Sequence, residues 1–180
     1  MRLLISPESY TSNSFFQKDI KKIRKGWHFV CLKSDIKKNN DYIALDLFDI
    51  PITVQNFKNK YKAFLNICSH RLNKIRSKSK GNGILRCLYH GWTFNSKGEP
   101  YGIPMKDSLF KITNEDLKRL TLKEFNIDIC GEFIFLNIES KKTLNQYLGK
   151  YYKELKNISI NLGSEIKTNI FHYNRIKHQT

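Results

Sequence analysis

Cys68-Ser69-His70-Arg71 and, further on, Cys87-Leu88-Tyr89-His90-Gly91-Trp92-Thr93-Phe94 decide how this chain is read. Each half is a Cys/His pair in a short loop. The first pair has one residue between its members and the second has two, and residues 71–86 separate the halves. Two thiolates and two imidazoles brought together make a metal site. A zinc ribbon or knuckle usually opens with ligands about two to four residues apart, and Cys-x-His is too tight for that pattern. The spacing suits a binuclear cluster, in which each loop sends its Cys to one iron and its His to the other. The bland alternative is two unrelated core Cys and two surface His.

The flanking residues sharpen this reading. Cys68-Ser69-His70-Arg71 and Cys87-Leu88-Tyr89-His90-Gly91-Trp92-Thr93-Phe94 resemble the cluster loops of the Rieske non-haem iron oxygenases. These are the ring-hydroxylating dioxygenases and related monooxygenases, and the resemblance is to the N-terminal domain of their alpha subunit, from Phe15 to Tyr152. Tyr89-His90-Gly91-Trp92 is the more specific half, because small Rieske ferredoxins usually lack that Tyr and Trp. Leu72 departs from the pattern, where many members carry Gly, but it leaves all four ligands in place.

The resemblance implies a mainly β fold of small antiparallel sheets, with two hairpin loops holding one [2Fe-2S] cluster and helices at the flanks. Cys68 and Cys87 would bind one iron, and His70 and His90 the other, which takes the electron. Arg71, Tyr89, Gly91 and Trp92 would support them. Trp92 would pack against the cluster, and Arg71 would either form a structural ion pair or face a partner. The two imidazoles would sit at the surface, where an N–H meets an acidic residue of a neighbouring subunit's catalytic domain.

The implied function is electron transfer from a ferredoxin or reductase to a mononuclear Fe(II) in the catalytic oxygenase domain. That iron needs two His and a carboxylate. His172 and His178 are six residues apart with no acidic residue after Glu165, so the second iron is expected only in a catalytic domain outside this sequence. A free-standing Rieske ferredoxin is the alternative. High-potential Rieske proteins carry a loop disulfide and hydroxyl donors where this chain has Asn73, Tyr89 and Trp92, so a low potential is expected.

Composition sets the frame. Hydrophobic residues are 40% and charged residues 27%, ordinary for a soluble globular chain. No apolar run approaches the roughly 20 residues of a membrane helix, and the start has too short an apolar core for a secretory signal. A cytoplasmic protein is expected, with neither membrane nor nucleic acid as partner. Of the 4 Cys, Cys31 and Cys130 lie in apolar contexts and are expected as buried reduced thiols. Net charge is +16, and no acidic residue occurs between Asp49 and Glu99. A positive surface around the site would steer an acidic electron donor. A plain abundance of Lys throughout the chain explains the same interval.

Three regions are expected: a lead-in and helix over 1–25, the Rieske domain over 26–140, and a helix and the start of a linker over 141–180. Phe15, Phe16, Ile20 and Ile23 fall at helical spacing after a Ser12 or Ser14 cap and predict a core-facing helix ended by Gly26. Residues 27–32, 42–48, 52–55 and 61–67 read as strands, with a hairpin turn over 56–60. Gly81-Asn82-Gly83 reads as a tight turn, followed by a short strand over 84–86. Thr113 and Asp116 predict a capping box, and strands are expected over 120–129 and 132–138. Thr143 should cap one amphipathic helix running through Leu155. A strand is possible over 166–173.

Overall fold

The computed structural model describes residues 6–109 and 112–160. Among the described residues there are nine strands: β1 (Trp27–Leu32), β2 (Asp41–Leu47), β3 (Ile50–Phe57), β4 (Lys60–Leu65), β5 (Lys80–Asn82), β6 (Thr93–Phe94), β7 (Pro100–Gly102), β8 (Glu124–Cys130) and β9 (Phe133–Asn137). Seven form one antiparallel sheet of order β1-β9-β8-β4-β3-β2-β5, and β6 pairs with β7. The fold is mostly β, as expected. Phe48 and Asp49 turn β2 into β3, and Lys58 and Asn59 turn β3 into β4. All four have positive φ, as two-residue turns matched to strand twist require.

Period-2 alternation along β4 divides the interior. Ala63 points into one core with Ile52, Val54, Phe125, Ile134 and Leu136. Phe64 points to the other side, with Ile75, Leu85, Phe94 and Leu122. Each fully buried side chain of this size contributes about 1.5–3 kcal/mol. The Cys68 and Cys87 thiols belong to the second core, so the strands that build it also aim the two loops. A third cluster joins Trp27, Cys130, Phe135 and Leu144 under the C-terminal helices.

Several local expectations change. Within the expected lead-in, Glu8–Thr11 is a short helix, α1. The next helix, α2 (Asn13–Ile23), does form, and Ser12 occupies its N-cap without a side-chain cap bond. Its apolar face is not core: Phe15, Phe16 and Ile23 are all exposed. Periodicity predicted the helix but not what it packs on. Gly81-Asn82 is not a turn but the middle and end of β5, where Tyr42 pairs with Gly81 and Asp41 with Asn82. Residues 84–86 form no strand; only Arg86 bridges, to Thr93.

Thr113 and Asp116 make the predicted reciprocal cap of α4 (Asn114–Arg119), which follows α3 (Lys106–Leu109). β8 begins at Glu124, because Leu122 first drops into the second core and donates its N–H to Gly98. The expected single C-terminal helix is two, α5 (Leu144–Leu148) capped by Thr143 and α6 (Tyr151–Ile160). Gly149, at φ 54° and ψ −128°, breaks them apart in a conformation only glycine adopts easily. Cys31 and Cys130 are buried free thiols as expected, and burial pushes Cys31 up to about 12. His28 is half-buried with its ring edge-on to Phe48, a structural role. The possible strand over 166–173, with His172 and His178, lies outside the described residues.

Candidate metal centre

The two ligand loops close in the same way. Ile67 bridges Lys74 across the first loop, and Arg86 bridges Thr93 across the second. Within them, Cys68 N–H donates to Asn73 O at 2.8 Å and Leu72 N–H to Cys68 O at 2.9 Å. The second loop repeats this with Cys87 N–H to Trp92 O at 2.8 Å and Gly91 N–H to Cys87 O at 2.9 Å. The extra residue between Cys87 and His90 therefore does not lengthen the loop. It moves the imidazole one step further along an equivalent turn. Leu72 and Gly91 are counterparts, and both are left-handed, at φ 56° and 75°.

The donors sort by type. The Cys68 and Cys87 side chains face each other in the core, each only 2% exposed. Burial pushes the Cys68 thiol up to about 11, and the facing Cys87 adds to the effect, while the N–H groups of His70 and Arg71 donate to the sulfur and pull the other way. Donated N–H groups of this kind stabilise a thiolate, which is the form that binds metal. The His70 and His90 rings lie 4.8 Å apart, both half-exposed. His70 is held below the usual imidazole range, first by burial and then by His90 and Arg71.

Among the described residues, no three His, Cys, Asp or Glu side chains gather as for a single ion. A buried thiol pair beside a surface imidazole pair fits a two-iron cluster, with one pair per iron.

The supporting residues are placed as follows. Trp92, 3% exposed, stacks on His70 at 4.6 Å and 4° and so fixes the plane of that imidazole. Tyr89 is exposed and lies tilted over His90 at 3.9 Å. A Cβ on Gly91 would meet Arg86 Nη2 at 3.2 Å. Arg71 is exposed, and among the described residues it forms no ion pair.

Two residues were not anticipated. Ser69 Oγ donates to Leu120 O at 2.6 Å and pins the first loop to the end of α4. Asn73 Nδ2 lies 4.0 Å from Cys87 Sγ, a long contact from one loop to the other. Aligning the loops by their Cys rather than their His would have exposed the Leu72–Gly91 equivalence.

The acid-free interval is not acid-free in space. Lys62 pairs with Glu124, Lys74 with Asp46 and Lys80 with Asp35, all from outside it, and Arg76 is buried. Exposed cations remain on both loops at Arg71 and Arg86.

The Rieske [2Fe-2S] domain family matches residues 26–126. The alpha subunit of 2-aminobenzenesulfonate 2,3-dioxygenase from Alcaligenes sp. is 32% identical over 169 residues, covering 91% of this chain and 42% of that protein. A crystal structure of naphthalene 1,2-dioxygenase superposes with a TM-score of 0.66 at 31% identity, over 77% of this chain and 32% of the other. A quaternary ammonium Rieske monooxygenase shares the fold, with a TM-score of 0.73 at 23% identity over 83% of this chain and 42% of its own. The chain thus spans less than half the length of each.

Proposed function

Because this chain belongs to the Rieske [2Fe-2S] domain family, we propose that it carries electrons as the N-terminal part of an oxygenase alpha subunit. Cys68, His70, Cys87 and His90 hold one [2Fe-2S] cluster, and Arg71, Tyr89, Gly91 and Trp92 support it. The observation that carries this reading is the division of donors, with thiols buried and facing each other and imidazoles paired at the surface. When bound, the cluster supplies a one-electron couple. The protein's own part is positional. Buried loop backbone at Cys68 presents N–H groups to sulfur, and Trp92 shields one face of His70 from water. The exposed edges of His70 and His90 give the shortest path to a partner.

The donor is a ferredoxin or reductase, and Arg71 and Arg86 present the positive charge that steers an acidic one. The acceptor is a mononuclear iron in the catalytic domain of the same or a neighbouring subunit. Anaerobically purified protein should carry about two irons and two sulfides per chain. A colourless protein with stoichiometric zinc after iron-replete expression would falsify this. The reduced 180-residue chain, mixed with oxygen and an aromatic substrate, should reoxidise slowly and form no hydroxylated product. Product would reveal an oxygen-activating site elsewhere in the chain.

A further inference from the structure

Arg76 is a buried cation that the demands of the fold alone do not explain. It is 9% exposed, and its guanidinium lies 3.9 Å over the Tyr42 ring. Its Nη2 donates to Gln55 Oε1 at 2.8 Å, Gly83 O at 2.7 Å and Ile84 O at 2.8 Å. Its Nε is buried without a hydrogen-bond partner. Among the described residues no carboxylate forms an ion pair with it. A buried charge without a counter-charge is a poor stabiliser, and apolar side chains of similar volume often do as well or better.

Its connections suggest what the charge is for. Two residues before Cys68, buried Asn66 accepts the Arg76 N–H at 2.8 Å and donates to Arg76 O at 2.9 Å. That clamp fixes the chain leaving the first loop. The guanidinium then holds the carbonyls of Gly83 and Ile84, on the chain approaching the second. Gln55 reinforces the same point by donating to Gly83 O at 3.2 Å. Ile84 precedes Cys87 by three residues, at most about 11 Å of chain, so the charge contacts the segment leading directly to that residue. One side chain therefore brackets both loops and lies behind them in a poorly solvated interior.

We propose that Arg76 is a positioning residue for the cluster: it sets the spacing of the two ligand loops before the cluster binds, and its fixed positive charge favours the reduced state. This rests on Cys68, His70, Cys87 and His90 being the ligands. Reduction adds one negative charge, and a nearby buried cation is attracted to it more strongly than water-screened surface charges are.

The test uses the full chain, anaerobically reconstituted with iron and sulfide, in four forms: wild type, Arg76→Lys, Arg76→Met and Gln55→Glu. Cluster uptake and the midpoint potential are measured for each. Arg76→Lys keeps the charge, but its shorter side chain does not bring a nitrogen to the three acceptors gathered around Nη2, so uptake slows several-fold while the potential stays near wild type. Arg76→Met slows uptake and lowers the potential. Gln55→Glu keeps the guanidinium contacts but cancels their charge, and it also loses the Gln55 bond to Gly83 O, so the potential falls whatever happens to uptake.

Unshifted potentials in Arg76→Met and Gln55→Glu would overturn the proposal, and so would wild-type uptake by Arg76→Lys. Should Arg76→Met not fold, the other two variants still separate charge from fork. A wild-type chain that takes up no cluster would instead overturn the ligand assignment, and this proposal with it.

Discussion

Leu72 and Gly91 hold the same place in equivalent loops, yet one is a leucine at φ 56° and the other a glycine at φ 75°. A left-handed L-residue is strained by roughly 1–2 kcal/mol, and glycine is not. Leu72 is 76% exposed, so burial of its side chain offsets little of that strain. Leu72→Gly should therefore stabilise the chain by up to about 1 kcal/mol after allowing for the looser unfolded state. Gly91→Ala should destabilise it by about 1–2 kcal/mol. Thermal or urea unfolding of the two variants checks both signs. A destabilised Leu72→Gly would show that the exposed leucine contributes contacts outweighing its strain. The four proposed ligands stand out in the sequence because chemistry confines metal ligands to a few residue types at tight spacing. The strain at Leu72 does not, because no residue type announces a positive φ except by being glycine or asparagine.

At the scale of elements, strands from β1 to β4 could be read from β-branched and aromatic runs. The capping box of Thr113 with Asp116 could be read too, as could the cap at Thr143, to which the structure adds Gln146. β5 was misread because Gly81-Asn82-Gly83 has the composition of a turn. What makes it a strand is non-local: the glycine at 81 leaves room for the Tyr42 hydroxyl, where a Cβ would come within 2.7 Å. The face of α2 was misjudged for a related reason, since periodicity says which residues share a face and nothing about a neighbour.

β5 is further held by Asp41, whose carboxylate accepts from Asn82 Nδ2 at 2.9 Å and from Lys38 N–H at 2.7 Å. These bonds, that from Asn82 first, keep the Asp41 carboxyl below its ordinary range. A depressed carboxyl adds stability above its unfolded pKa and loses it as pH falls through the folded value. Amide exchange at Lys80–Asn82 should therefore accelerate on acidification below the ordinary carboxylate range. In Asn82→Ala that acid-induced loss should be smaller. Equal acid sensitivity in both proteins would show that Asp41 does not hold the strand.

Across the whole molecule, the four Cys are the two proposed ligands in the loops, Cys68 and Cys87, and two thiols in strands, Cys31 and Cys130. No loop disulfide can form, since Asn73 and Tyr89 stand at the places one would join. Asn73 reaches Cys87 Sγ only at 4.0 Å, and the Trp92 indole stacks on His70. With an indole at Trp92 where high-potential Rieske proteins carry a hydroxyl donor, the midpoint potential should fall toward the lower end of the Rieske range of roughly −150 to +300 mV. A value near the top of that range, in an anaerobic titration, would sink this account.

The two cores on either side of β4 bear on the protein's lifetime. One is built from strand residues and Ile36, while the other counts Cys68 and Cys87 among its members. Loss of a bound cluster would leave two facing thiols in apolar surroundings and remove one of the links between the loops. The sheet core stays packed. Damage by oxygen should thus loosen residues 66–94 without unfolding the rest, a local opening rather than a global one. A protease would then cut the iron-free chain first in that segment and spare the loaded one. In the cell, such a nick would make cluster loading the signal that decides which copies persist.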